Sequence, residues 1–344
     1  MTDMKLISDD VERIMLAHGG GGELMGRLIR EHIVPRLGNA WLSPLCDGAV
    51  LPWSPGELVF TTDSYVVTPL EFPGGDIGRL AVAGTVNDLS VMGAEPVALS
   101  LGLIIEEGLP VEVLDRVIDS IGRTAAQAGV QVVTGDTKVI ERRGPDGLFI
   151  NTAGVGRLRA GVNLDVNRVS VSDVILINGG LAEHGLAVMS VRGGLEFDSE
   201  LRSDAAPLNG LIARVLESGA EVKFMRDATR GGVAGVLADI SQACGVSIEI
   251  DEEALPISAT ARHAGEMLGL DPLTVANEGK VVLVVDRAGA PQALEALRSD
   301  PLGKRAALIG RVTDADPPLV ELITRAGGRR IIQRPYGEEL PRIC

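Results

Sequence analysis

The sequence predicts two α/β domains with mixed or antiparallel sheets flanked by helices, followed by an extended C-terminal tail. Three observations carry this expectation. At 344 residues the chain is longer than a single core usually sustains, roughly 250–300 residues. β-rich stretches alternate with stretches of helical periodicity in both halves, and the pattern turns polar and glycine-containing from Gly156-Arg157 to Asn167-Arg168. The last ten residues, Pro335-Tyr336-Gly337-Glu338-Glu339-Leu340-Pro341-Arg342-Ile343-Cys344, hold two prolines and a glycine, which deny a helix or a central strand. The expected boundaries are 1–160, 161–329 and a flexible tail over 330–344.

Near the start, His18 leads into Gly19-Gly20-Gly21-Gly22, and Leu24, Leu28 and Ile29 then fall at helical spacing. A glycine-rich lead into a helix suits an anion or a hinge equally well. Residues 58–67 read as a strand carrying Thr61-Thr62-Asp63-Ser64. Residues 78–93 read as a helix of small residues with Asn87-Asp88 in its middle, and a carboxylate buried there needs a partner. A strand over 97–105, a helix over 113–128 ending at Gly129, and strands over 130–139 and 149–156 complete a β-α-β-α-β-β order. In the second half, strands are expected at 173–180, from Val222 up to a polar turn at Asp227, and at 248–250, 281–285 and 308–312, the last being the final core strand. Helices are expected from Glu183 and over 209–219, 232–240, 261–268 and 292–297.

Composition removes several classes. Net charge is −15, which argues against non-specific binding to nucleic acid or to a membrane surface. No run of about 18 apolar residues occurs, and the N-terminus lacks a basic-then-apolar leader. Cys46, Cys244 and Cys344 are odd in number and form no Cys-x-x-Cys pair, so neither a zinc site nor a disulfide framework is indicated. A soluble, cytoplasmic protein is the expectation. His18, His32, His184 and His263 show no metal-ligand spacing, and Gly-x-Ser-x-Gly and Walker A motifs are absent.

What remains is a set of acidic punctuations. Asp63, Asp88, Asp136 and Asp227 each interrupt or follow apolar structure, most of them beside Thr or Asn. Hard oxygen ligands of this kind suit Mg²⁺ with phosphate oxygens completing the shell. Lys138, two residues after Asp136, can neutralise a phosphate. Asp227-Ala228-Thr229-Arg230-Gly231-Gly232 reads as a polar turn into a helix N-terminus, equipment for phosphate plus cation. The terminal thiol of Cys344 sits on a segment that can reach on the order of 30 Å. Its own α-carboxylate opposes ionisation and Arg342 favours it, so its chemistry needs a base from elsewhere.

The Thr-Thr-Asp63, Asn-Asp88…Met-Gly-Ala-Glu-Pro96, Gly-Asp136-Thr137-Lys138 and Arg-Asp227-Ala-Thr229-Arg-Gly-Gly232 segments resemble the ATP-binding superfamily of aminoimidazole ribonucleotide synthetase and selenophosphate synthetase, with its PurM-like fold. Within it, the Ala-His18-Gly-Gly-Gly-Gly start and the Pro-Arg-Ile-Cys344 end resemble the HypE family of hydrogenase maturation factors. That resemblance spans essentially the whole chain.

It implies an ATP- and Mg²⁺-dependent carbamoyl dehydratase. A HypF carbamoyltransferase loads the terminal thiol, dehydration yields a thiocyanate, and cyanide passes to a HypC–HypD complex. It also implies a homodimer, with residues 1–160 binding ATP and dimerising. By the resemblance Cys344 carries the substrate, Glu278 is the base and Lys138 stabilises charge. Asp63, Asn87, Asp88, Asp136, Thr137, Asp227, Thr229, Gly231 and Gly232 hold the nucleotide, the four aspartates through the metal.

The sibling activities remain as alternatives. A selenophosphate synthetase would need an N-terminal reactive cysteine, where this chain has Ala17-His18-Gly19. An aminoimidazole ribonucleotide synthetase would not need a terminal cysteine. A non-catalytic scaffold would leave the aspartates without purpose.

Overall fold

The computed structural model describes residues 12–19, 23–43, 53, 56–142, 144, 146–194, 201–334, 340 and 342–344. Gly20, Gly21, Gly22, Cys46, Pro341 and residues 335–339 lie outside that set. In chain order the first half runs α1 (Glu23–Leu28), α2 (Val34–Leu37), β1 (Leu58–Tyr65), β2 (Glu71–Phe72), β3 (Gly75–Asp76), α3 (Ile77–Val91), β4 (Ala94–Glu106), α4 (Val111–Ala128), β5 (Gln131–Ile140) and β6 (Leu148–Leu158). The second half runs β7 (Val174–Ile177), α5 (Glu183–Arg192), α6 (Asn209–Glu217), β8 (Val222–Asp227), α7 (Gly232–Cys244), β9 (Ser247–Asp251), α8 (Ala259–Leu268), β10 (Val281–Val285), α9 (Ala290–Ser299), β11 (Ala307–Thr313), β12 (Val320–Ile323) and β13 (Arg329–Ile332).

Each half builds one mixed sheet. The first has the order β1-β6-β4-β5, antiparallel except for the β4–β5 pair, which is parallel. A parallel pair needs a crossover, and α4 provides it. That helix buries Leu114, Val117, Ile118 and Ile121 on one stripe and stops at Gly129, whose φ of 72° forms a left-handed cap. The second sheet has the order β13-β12-β9-β11-β7-β10-β8, with β12 and β9 parallel. Its faces are covered by α7 on one side and by α6 and α9 on the other.

The two halves meet around α3. This helix packs on β1, β6 and α4 of the first half and on β8 and α6 of the second. It is buried nearly all round, which is why it is made of small residues. Asn87, in its middle, is pinned to the second half: its amide donates to the Ala206 and Glu278 carbonyls, and its Oδ1 accepts from the Leu208 N–H at 2.7 Å. The core continues across the junction, joining Tyr65, Leu80 and Ile150 to Leu186, Val275, Leu340 and Ile343.

Three expectations need correction. Residues 330–332 are not tail: they form β13, an edge strand on β12. β13 escapes a sequence reading because it is short and charged, as edge strands tend to be, and β12, although inside the sheet, is only four residues long. The end of the tail is not extended away from the body, since Leu340 and Ile343 are core residues. The helix expected after the glycine run is present but broken, with a π-helical turn over Ile29–Ile33. Pro35, just beyond it, lacks the N–H a continuous helix would need.

Asn87→Ala leaves three buried backbone groups without partners at the seam. We expect a loss of about 2–4 kcal/mol, read as a lower urea midpoint. An unchanged midpoint would show that Asn87 does not hold the halves together.

Candidate active site

Side chains along β1 alternate. Leu58 and Phe60 face outward, while Asp63 and the buried Tyr65 face α3. Asp88 on α3 answers from across that interface, accepting from Thr61 Oγ1 at 3.0 Å. Asp227, the last residue of β8, arrives from the second half. Glu278 lies in the turn just before β10 and is 2 % exposed.

Burial and neighbouring charge perturb three of these acids. Burial, with Asp63 adding its charge, lifts the Asp88 carboxyl to about 6. Burial together with Asp88 and Asp63 lifts Asp227 to about 7. Burial, then Asp204, Asp227 and Asp63, push Glu278 well above the usual carboxylate range. Oε1 of Glu278 is buried with no hydrogen-bond partner among the described residues. Tyr65 closes the floor, its hydroxyl 3.3 Å from Thr85 Oγ1. A Cβ at Gly84 would stand 2.2 Å from that hydroxyl, so a glycine is required there.

Glu278 is positioned by a buried ion pair. Lys280 Nζ lies 2.7 Å from Asp204 Oδ2, and Asp204 also accepts the N–H groups of Glu278 and Gly279. Burial alone would raise the Asp204 carboxyl, but Lys280 holds it below its ordinary value. The turn carrying the acid is thereby fixed by a carboxylate that stays ionised.

The start of α7 departs from the expected anion cradle. Gly231 and Gly232 both adopt positive φ, and a Cβ at Gly232 would stand 2.4 Å from the Leu273 carbonyl. Yet the Gly232 N–H donates to Thr229 O and the Ala234 N–H to Leu273 O. Two of the leading N–H groups are therefore spent inside the protein.

The tail enters this same cleft. The Val66 N–H donates to Cys344 O at 3.1 Å and the Thr68 N–H to Arg342 O at 3.3 Å. His184, fully buried and kept neutral by that burial, donates from Nε2 to Ile343 O at 2.8 Å and accepts at Nδ1 from Ser203 Oγ. The thiol rests against the Glu278 carboxyl, with Asp63 and Arg230 within electrostatic reach. Burial and Glu278 push the thiol well above its ordinary range, against a smaller pull from Arg230.

Cys344, Glu278, Asp63, Asp88 and Asp227 therefore converge, and other expected residues do not join them. Asp136 and Lys138 lie on the outer face of the first sheet, 71 % and 64 % exposed, paired with each other at 3.7 Å. Asp136 shares a register row with Asn151 and Ser64, on the side opposite Asp63. Thr137 points the other way from Asp136 and is buried in the sheet. Asn87 spends its amide on the domain seam. Among the described residues, no three His, Cys, Asp or Glu side chains are placed to hold a metal ion by themselves. The expected set of four metal-binding aspartates is thus reduced to three mutually repelling carboxylates. That is a poor cage but a good fit to Mg²⁺, which takes one or two carboxylates and completes its shell with phosphate oxygens.

Sequence reasoning missed Tyr65, Asp146, Arg192, Asp204 and Lys280, and assigned His184 no role with the tail. Lys280 directly follows Asn277-Glu278-Gly279, the one local hint. Asp204 lies between recognisable elements and carries no signal of its own.

Residues 46–158 match the N-terminal domain, and residues 170–321 the C-terminal domain, of AIR synthase related proteins. The fold and cleft are those of that two-domain class. The chain is 48 % identical over 333 residues to the carbamoyl dehydratase HypE of Rhizobium leguminosarum bv. viciae, covering 96 % of this chain and 95 % of that one. A crystal structure of the hydrogenase maturation protein HypE in complex with ATP matches with a TM-score of 0.92 at 42 % identity, covering 96 % of this chain and 99 % of that chain. A crystal structure of a HypE–HypF complex matches with a TM-score of 0.78 at 47 % identity, covering 90 % and 99 %. This chain belongs to the carbamoyl dehydratase HypE family of hydrogenase maturation enzymes.

Asp88 and Asp227 hold protons more tightly folded than unfolded, so their contribution to stability falls as pH rises from about 4 toward 7. The gain in melting temperature from Asp227→Asn in the ligand-free protein is therefore expected to grow between pH 5 and pH 8. Thermal unfolding at the two pH values checks this, and a gain that shrinks with pH would mean the carboxyl is not strained.

Proposed function

We propose that the enzyme dehydrates an S-carboxamide carried on Cys344 to a thiocyanate at the expense of ATP, supplying the CN ligand of NiFe hydrogenase iron. The observation that carries this reading is the seating of the terminal thiol against Glu278, beside Asp63, Asp88 and Asp227. A carboxamide oxygen is a poor leaving group. Attack of that oxygen on the γ-phosphorus of ATP forms a C–O–P linkage and releases ADP. Loss of the two N–H protons and breakage of the C–O bond then leave S–C≡N and inorganic phosphate.

Glu278 is the group placed to take those protons. It is buried, its Oε1 makes no hydrogen bond among the described residues, and its affinity for a proton is already raised. Tethering gives the reacting group a high effective concentration. Asp63, Asp88 and Asp227 would hold Mg²⁺, whose charge offsets that of the polyphosphate. Thr229, Gly231 and Gly232 border the same region.

The thiol must leave the cleft to be loaded. A solved HypE–HypF complex supports HypF as the partner; in this reading HypF is the carbamoyltransferase that loads the thiol, and a HypC–HypD complex would accept the cyanide. A homodimer through the outer face of the first sheet would cover Leu58, Phe60 and Ile104, of which Phe60 is 63 % exposed. Asp136 and Lys138 lie on that face, so any part they take depends on dimerisation. A cytoplasmic setting agrees with the free thiols of Cys244 and Cys344.

Incubation with a HypF carbamoyltransferase, carbamoyl phosphate and ATP should carbamoylate the C-terminal peptide and then remove one water's mass, as read by mass spectrometry. Cys344→Ala should abolish both changes and retain nucleotide binding. A carbamoylated peptide that keeps its water in the presence of ATP would refute the reading. Asp227→Asn should weaken Mg²⁺–ATP binding by about tenfold or more in calorimetry, and unchanged affinity would remove Asp227 from the site.

A further inference from the structure

We propose that Asp146 and Arg342 form a clasp that seats the tail, with Asp146 acting as a positioning residue for Cys344. The proposal builds on Cys344 as the substrate-bearing residue, but its geometry and its test concern seating alone. Asp146 lies in the loop between β5 and β6 and is buried. Its Oδ1 receives two donors, Arg342 Nη1 at 2.7 Å and Thr68 Oγ1 at 3.0 Å.

Thr68 is engaged three times. Besides that hydroxyl contact, its N–H donates to Arg342 O, and its carbonyl accepts from Arg192 Nε. Arg192 also donates to Arg342 O. Asp146, Thr68, Arg192 and Arg342 thus close a ring of hydrogen bonds around one residue of the tail. That ring gathers both the backbone and the side chain of Arg342.

The backbone at Arg342 supports this assignment. Its φ is 54°, a left-handed conformation that a side-chain-bearing residue holds only where its surroundings impose it. From that turn the chain runs two residues to the thiol. Ile343 is held by His184 and Cys344 by Val66. Neither of those bonds depends on which side chain precedes them, whereas the contact with Asp146 requires a cation with a long reach. Among the described residues, the cation recorded beside Asp146 is Arg342, which reaches it when the tail is in place. A buried carboxylate deprived of its cation is costly, so both partners favour the seated state.

The test is the alkylation rate of Cys344 by iodoacetamide in the full, ligand-free chain, followed by mass spectrometry of the C-terminal peptide. The Cys244 peptide serves as the internal reference for an intact body. Arg342→Ala and Asp146→Asn should each speed Cys344 alkylation about tenfold and leave Cys244 unchanged. Arg342→Lys should have a smaller effect. The double variant should be no faster than the faster single variant, because the two residues act as one unit.

Wild-type rates in both single variants, or effects that multiply in the double variant, would overturn the proposal. If Asp146→Asn also speeds Cys244, Arg342→Ala decides alone, since it alters the tail and not the body. A thiol that never accepts a carbamoyl group would sink the functional reading and leave these rates as they are.

Discussion

The structure depends on forcing like charges together. Asp63 and Asp88 from one half and Asp227 and Glu278 from the other are drawn into one partly dry cleft, where burial, with the charges of neighbouring aspartates, raises the proton affinity of Asp88, Asp227 and Glu278. No carboxylate gathers there spontaneously, so other contacts hold the walls. Asn87 stitches α3 to the second half through three backbone groups. The Asp204–Lys280 pair fixes the turn that presents Glu278. A shared core under both halves keeps the walls from parting. The stored repulsion is a standing demand for positive charge, which a metal–polyphosphate ligand would meet.

Asp204 and Lys280 show how a buried ion pair can serve a site without touching the reacting atoms. Asp204 stays ionised because Lys280 lies beside it. Its remaining lone pairs order the backbone on either side of Glu278. One residue earlier, Ser203 supports the histidine that holds the tail. The 203–208 segment therefore touches the tail dock, the acid and the α3 seam in six residues.

Most of the fold was legible because its elements carry local signals. The stripe of α4 and its terminal Gly129 mark a helix from sequence alone, as does the continuous apolar run of β10. β13 was not legible, since an edge strand with Arg329 and Arg330 reads like a solvated tail, and the four residues of β12 are too few to stand out. For the site, Asp63, Asp88, Asp227, Glu278 and Cys344 could be named from motifs and from the family resemblance. Which face each would occupy could not. Asp136 belongs to the same kind of motif as Asp63, yet one step of strand alternation sends it to the other side of its sheet. Asn87 looked like a ligand because it adjoins Asp88, but successive helix positions point about 100° apart, and its direction is the seam. Asp146, His184 and Arg192 act only through the folded position of the tail, which no local pattern encodes.

The position of β13 also sets a distance. The chain is anchored at Ile332 in the second sheet, so a released terminus is tethered from that point. That leaves a leash of roughly 40 Å at full stretch, shorter than a tether freed from residue 330. Any enzyme that exchanges groups with the sulfur must bring its own catalytic centre inside that radius, on the side of the molecule where β13 ends. The edge strand thus rations which surfaces of this protein a visiting partner can use.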